Sequence, residues 1–384
     1  MTPKDIITNR MFCPMPWTGL MYNFDGTVKN CIRSASPIGN IKDDSIDDIV
    51  HGEVNTNRQW LIADRTKTGG CMPCYKLEEG KNKFDIISDR IFYIKELKHV
   101  PLRTYTHGNF DLKTVDVRWT NLCNFACVYC GPEFSSKWAS ELNTVIETPT
   151  QEQRDNFKQY IFDRADQLDH VYLAGGEPLL MKENLELLDR IRPETQLRIN
   201  TNLSKVDTRI FERICEFKNV HWIISVETME EEFEYIRYGG KWQDFLENLT
   251  TISKLGHKIS FNMLHFLLNH QSLFGCVDFL KAMGFHNNSF VIGPLHNPDY
   301  LNIRQLPDHM LNSVKETLEK RISEGPGFLL EDGYRNMLKY IQEPVSKDFA
   351  ESLRQLELLD QRRNLNSCNI FKDLYKENYH GKTI

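Results

Sequence analysis

From about residue 113 onward, apolar positions follow two periods that take turns along the chain. Short runs rich in β-branched and aromatic residues read as strands: "TVDVRW" (114–119), "HVYLA" (170–174), "QLRINT" (196–201), "VHWIISV" (220–226), "KISFNML" (258–264) and "SFVI" (289–292). Between them lie segments with helical spacing, among them "KENLELLDRI", "RIFERICEF", "WQDFLENLTTISKL" and "SLFGCVDFLKAM". Six strand–helix alternations imply right-handed βαβ crossovers and a parallel sheet, open or curled toward a barrel. In such sheets the ligand sits beyond the carboxyl ends of the strands. After Pro294 the pattern becomes helical, in "LPDHMLNSVKETLEKRI", "GYRNMLKYI" and "KDFAESLRQLELLDQRR", which predicts a helical cap. Upstream, Phe84, Ile87, Ile91, Ile94 and Leu97 predict a connecting helix, followed by a loop at 103–110. Residues 1–80 are rich in turns, and Gly26 lies in a "DG" turn that favours a β-hairpin. The division expected is therefore 1–80, 81–112, 113–294 and 295–384.

Composition narrows the picture. The chain has 384 residues, 40% hydrophobic and 26% charged, enough for a sizeable core and more than one ordinary domain. A net charge of −6 gives no basic footprint for generic nucleic-acid binding. No apolar run approaches a membrane span, and "MTPKDIITNRMF" is too polar for a secretory signal, so a cytoplasmic protein with no membrane partner is expected. There are ten cysteines. In a reducing compartment clustered thiols read as metal ligands rather than disulfides.

The densest cluster is "CNFACVYC", Cys123, Cys127 and Cys130, directly after the first predicted strand of the repeat. Three thiolates at C-x3-C-x2-C spacing can hold three irons of a [4Fe–4S] cluster and leave the fourth open to a small molecule. They could also form a structural zinc site that borrows a fourth ligand such as His107. Four more cysteines, Cys13, Cys31, Cys71 and Cys74, fall in two pairs on turn-rich sequence, a pattern that also suits a zinc ribbon.

The triplet, with Tyr129 before its last cysteine, resembles the signature of the radical S-adenosylmethionine (SAM) superfamily. Gly175-Gly176-Glu177, at the end of the second strand, looks like that family's GGE motif. The resemblance covers most of 113–294 and implies a partial (βα)6 TIM-like barrel. It further implies that strand-end groups at GGE receive the SAM amino group. Thr201, Asn202, Ser225 and Glu227 would bind its ribose and methionine parts, Arg237 its carboxylate, and Ile292 and Gly293 its adenine. The order C…DG…C…GNI…C-x2-C resembles the SPASM and shorter twitch extensions, which hold auxiliary [4Fe–4S] clusters. Here it precedes the barrel, whereas in most relatives it follows. Only four cysteines are present, which matches the one-cluster twitch form and would leave no open iron.

The fold expected is thus α/β: the barrel, an N-terminal cysteine-rich hairpin and helix domain, and a C-terminal helical extension. The cofactors implied are SAM and two [4Fe–4S] clusters, with an electron donor such as a flavodoxin or ferredoxin as partner. The activity implied is reductive cleavage of SAM to a 5′-deoxyadenosyl radical that takes a hydrogen atom from substrate. Net oxidation follows, the electron leaving through the auxiliary cluster. Substrate stays open between a peptide or protein side chain, to which the reading leans, and a small polar metabolite such as a sugar or nucleotide. A non-enzymatic iron–sulfur or zinc-ribbon protein is the rival from another class. Cys215 and Cys276 sit among apolar helical neighbours and read as core, Cys276 being the better candidate for a hydrogen-atom donor. Cys368 is not placed by the sequence, and His265 either packs or faces the pocket.

Overall fold

The computed structural model describes residues 12–34, 36–52, 58, 71–79, 88–96, 105 and 108–376. These form two compact units. The first comprises residues up to 123, 132–201 and 205–222; the second comprises 124–131, 202–204 and 223 onward. The fold is α/β with a parallel sheet built on βα repeats, the partial (βα)6 class expected from the sequence.

In the first unit the strands are β1 (Gly19–Asn23), β2 (Thr27–Lys29), β3 (Gly39–Asn40), β4 (Thr114–Arg118), β5 (His170–Leu173) and β6 (Gln196–Thr201). The expected hairpin is present: β1 and β2 pair antiparallel around Gly26, whose φ of 94° suits glycine. β1 then pairs parallel to β4 over its whole length, Gly19 opposite Thr114 to Asn23 opposite Arg118. The cysteine-rich segment therefore adds its hairpin to the sheet of the βα repeats. β4, β5 and β6 run parallel with Asp116 opposite Tyr172 and Tyr172 opposite Arg198.

Strand alternation divides this sheet into two unlike faces. Val115, Val117, Leu173, Leu197 and Ile199 are at most 1% exposed, and Tyr22 and Trp119 stack toward Phe157 and Phe162 of the helix Gln151–Phe162. That helix starts cleanly because Thr150 and Gln153 cap each other. The opposite face presents Asp116, Arg118, Tyr172, Arg198 and Asn200. At its lower end Phe92 and Tyr93, from the helix Asp89–Glu96, meet the His170 ring edge-on. Of the connecting helix expected at Phe84–Leu97, Asp89–Glu96 is observed; Phe84, Ile87, Leu97 and His107 lie outside the described residues.

β7 (Val220–Ser225) begins in the first unit, where Leu197 N–H donates to Asn219 O. It ends in the second, where Val226 N–H donates to Asn262 O at the edge of β8 (Lys258–His265). β8 pairs parallel to β9 (Phe290–Pro294). The three expected C-terminal helices are Asp308–Ser323, Phe328–Ile341 and Phe349–Arg363. Gly333 lets the second of these come down onto β9: an added Cβ there would stand 3.0 Å from the Ile292 Cβ. No helix among the described residues is long and apolar enough to cross a membrane.

Candidate active site

The loop after β4 carries the triplet. In the first unit Cys123 N–H donates to Ser136 Oγ, which donates back to Cys123 O at 3.2 Å. Gly175 and Gly176 are seated against the chain leading into it. A Cβ on Gly176 would lie 2.2 Å from Leu122 O and 2.7 Å from Asn121 O. Gly175, at φ 116°, would place one 3.2 Å from Thr120 O. The glycines were expected to bring backbone close to a ligand; the close approach observed is to the cluster loop itself. Glu177 is fully buried, and its N–H donates to Leu122 O at 2.8 Å. Its Oε1 accepts from Leu179 N–H and from the Thr201 hydroxyl at 2.7 Å. The strand-end motif thus clamps the loop to β6.

In the second unit Cys127 is buried and Cys130 half-buried. Burial pushes the Cys127 thiol up, and the Arg237 guanidinium opposes that. The loop backbone is pinned by Ala126 N–H to Tyr238 O and Val128 N–H to Ile236 O, both 2.8 Å. Phe125 packs on Gly240, where a Cβ would meet its ring at 2.7 Å. Asn124, directly after Cys123, accepts from Asn202 Nδ2 and from the Ser204 hydroxyl, and its own Nδ2 donates to Ser204 Oγ at 2.9 Å. The sequence reading did not single out Asn124 or Ser204; the only local sign is a polar residue between two cluster cysteines.

Glu227 and Arg237 form a bidentate pair, Nε to Oε2 at 2.7 Å and Nη2 to Oε1 at 2.8 Å, both nearly inaccessible. Tyr129 OH donates to Glu227 Oε1, and Asn269 Nδ2 to the Glu227 carbonyl. Burial alone would lower the Arg237 pKa, but Glu227 more than offsets it and the guanidinium stays charged. These residues, expected as direct SAM contacts, are therefore committed largely to one another. They hold Tyr129, and through it the cysteine loop, in place. Ser225 is half-buried at the end of β7. Ile292, expected at adenine, turns its Cβ to Gly333 of the helix Phe328–Ile341. A second residue not foreseen is Arg363, buried at the end of Phe349–Arg363 with its guanidinium 4.4 Å from the Tyr238 ring centroid.

The N-terminal cysteines gather in the first unit. The Cys13 thiol is pushed well up, first by burial and then by Cys71, Cys31 and Cys74. Burial likewise raises Cys31 to about 12, while the Arg33 and Ser34 N–H groups pull it down. Cys13 has the Met15 N–H beside it and Cys74 the Arg90 N–H. Among the described residues no three histidine, cysteine or carboxylate side chains close to single-ion geometry. Four thiols within mutual electrostatic range, three of them met by backbone N–H donors, nevertheless suit the larger span of an iron–sulfur cluster. Arg90 ties their segments together: its Nη1 donates to Phe12 O at 2.8 Å and its Nε to Glu78 Oε1 at 2.9 Å.

The remaining candidates are packed. Cys276 is fully buried with Sγ 3.7 Å from Thr228 O, and burial raises its thiol. His265 is fully buried, meets Phe274 edge-on and is held neutral by burial, its pKa lowered to about 4. Cys215 and Cys368 are half-buried.

The Radical SAM superfamily model matches residues 117–280, and SPASM, an iron–sulfur cluster-binding domain, matches residues 13–85. The chain carries a radical SAM domain, with a SPASM iron–sulfur domain ahead of it. It is an enzyme whose cofactors are SAM and [4Fe–4S] clusters. Among curated relatives, GTP 3′,8-cyclase of Campylobacter lari is 22% identical over 254 residues, 62% of this chain and 74% of that protein. GTP 3′,8-cyclase of Aliarcobacter butzleri is 26% identical over 255 residues, 62% and 75% of the two chains. Among solved structures, native anSMEcpe with bound AdoMet aligns with a TM-score of 0.39 and 13% identity over 54% of this chain; the match spans 60% of that chain, under two thirds of its length. Streptococcus suis SuiB bound to S-adenosylmethionine aligns with a TM-score of 0.39 and 11% identity over 80% of this chain and 69% of that one.

Proposed function

We propose that the enzyme abstracts a hydrogen atom from a small polar molecule and that the net reaction is an oxidation. The observation that supports this substrate class over the peptide side chain favoured by the sequence is the polar face of β4–β6. Strands of a parallel sheet covered on both sides are ordinarily apolar throughout. Here Asp116, Arg118, Tyr172, Arg198 and Asn200 occupy one face, and curated proteins similar to this chain are named for GTP.

Cys123, Cys127 and Cys130 would hold the SAM-binding cluster, and Cys13, Cys31, Cys71 and Cys74 the auxiliary one. When bound, the first cluster supplies the electron that splits SAM into methionine and a 5′-deoxyadenosyl radical, and the second an acceptor for the electron a substrate radical gives up. The chain's own residues orient and exclude. Gly176 and Glu177 fix the triplet loop. In the second unit, Glu227 and Arg237 hold Tyr129, next to Cys130. Thr201, Asn202, Ser225 and Gly293 stand at strand ends, where ligands of this architecture bind. The division 1–80, 81–112, 113–294 and 295–384, a cytoplasmic location, and a flavodoxin- or ferredoxin-type donor belong to the same proposal.

The test is anaerobic. Iron and acid-labile sulfide are counted in the wild type and in the Cys123→Ala/Cys127→Ala/Cys130→Ala variant, and 5′-deoxyadenosine is measured with strong reductant. About eight irons falling to about four, with SAM cleavage lost, is expected. Four irons falling to none, with one zinc remaining, would return the N-terminal site to the ribbon reading and remove the electron exit. Cleavage undiminished in the triple variant would remove the triplet from the chemistry.

A further inference from the structure

On the polar face of β4–β6 in the first unit, the two arginines differ in their ion pairing. Arg118 is paired along its own strand, Nη1 to Asp116 Oδ1 at 2.8 Å. Arg33 is paired with Asp89 at 2.6 Å. Arg198 is different: among the described residues it makes no hydrogen bond and no ion pair, and its guanidinium lies 4.3 Å from the Phe92 ring centroid. Two residues further along the same face of β6, Asn200 Oδ1 is buried and without a hydrogen-bond partner. Buried polar atoms in folded proteins are almost always satisfied, so Asn200 Oδ1 calls for an outside partner, and the half-buried Arg198 guanidinium stands beside it on the same strand face.

The chemistry of that partner follows from the groups. The guanidinium lies over the Phe92 ring, and its N–H groups, unpaired among the described residues, suit a carboxylate or phosphate. Tyr172 stands directly opposite Arg198, and its hydroxyl feels Arg118, Arg198 and Arg33 as well as Asp116. The surplus positive charge on the face is Arg198. Asn200, one strand repeat nearer the carboxyl end, adds a neutral acceptor that suits a hydroxyl or amino donor on the same molecule.

We infer that the polar face of β4–β6 is the substrate-recognition surface, with Arg198 the hold for an anionic group, phosphate or carboxylate, and Asn200 a hydrogen-bonding partner for a polar group beside it. The inference rests on the small-molecule reading above and makes the substrate anionic. Arg198 is a specificity residue, distinct from the groups that brace the cluster loop.

The experiment uses reconstituted enzyme and two probes, inorganic pyrophosphate and malonate, with binding measured by calorimetry in the wild type, Arg198→Gln, Arg198→Lys, Asn200→Ala and the surface control Arg192→Gln. Saturable binding of one probe per chain is expected, weakened roughly tenfold or more in Arg198→Gln, the loss of one charge-assisted contact. Arg198→Lys keeps part of the affinity, and Arg192→Gln keeps all of it. Preference for pyrophosphate assigns a phosphate substrate, and preference for malonate a carboxylate. Iron content stays at wild-type level in Arg198→Gln, which separates this inference from the cofactor reading. Binding that survives Arg198→Gln, or binding of neither probe by the wild type, overturns it.

Discussion

At Gly176 one added carbon would stand 2.6 Å from the Leu122 carbonyl carbon, a backbone atom with no room to retreat. Gly176→Ala is therefore expected to displace the cysteine loop, at the ~1–3 kcal/mol typical of overpacking. Iron per chain should fall by about half as the triplet site empties, while near-ultraviolet circular dichroism shows the fold retained. Unchanged iron in that variant would mean the loop tolerates the carbon. The Glu227–Arg237 pair gives a second test at this scale. Breaking a buried pair from one side strands a charge and costs about 3–5 kcal/mol. Glu227→Gln should lower the urea midpoint accordingly, and Glu227→Gln/Arg237→Met should recover part of the loss. Asp116 gives a pH test. Burial raises its carboxyl to about 6 in the fold despite Arg118, against about 3.9 in an unfolded chain. Between these values the folded state holds the extra proton, so stability falls as pH rises through the window. Asp116→Asn should flatten urea midpoints measured from about pH 4 to 7 relative to the wild type; parallel curves would remove Asp116 as the cause.

Elements were the most legible level. All six βα strands lie within about two residues of their predicted ends, because a buried face imposes a period that the sequence must carry. The pairing of β1 with β4 was not legible: parallel partners some ninety residues apart share no local signal, whereas the antiparallel hairpin announces itself by its turn. The helix Asp89–Glu96 also gained a role that its periodicity did not show. Its Arg90 binds both Glu78, on the helix Met72–Glu79 that carries Cys74, and the carbonyl of Phe12, next to Cys13. Arg90→Met should therefore loosen the auxiliary cysteines selectively. Iron chelation kinetics should show one fast and one slow class of about four irons each. Uniform release would contradict that assignment.

For the whole molecule, the proposed function gives the two sets of cysteines different tasks. Replacing Cys13, Cys31, Cys71 and Cys74 by alanine should leave about four irons. SAM cleavage by strong reductant should persist, while product formation from the true substrate is lost. Loss of SAM cleavage in this variant would show that the auxiliary site serves the first half of the reaction.

The sequence by itself determined the βα alternation, the helical ends and the two cysteine sets, because thiol spacing and hydrophobic period are local properties. It also placed Gly175, Gly176 and Glu177 at a strand end. Only the tertiary structure decided what those residues touch. The glycines turned out to admit a backbone, Glu227 and Arg237 to answer each other, and Ile292 to face a helix. Likewise, "TVDVRW", "HVYLA" and "QLRINT" each alternate apolar and polar residues, yet nothing local says which polar side chains find partners. Arg118 has Asp116 two residues away, and Arg198 has a phenylalanine from a helix a hundred residues earlier. That difference arises from register and packing, which bring distant segments together and leave one guanidinium to an outside anion.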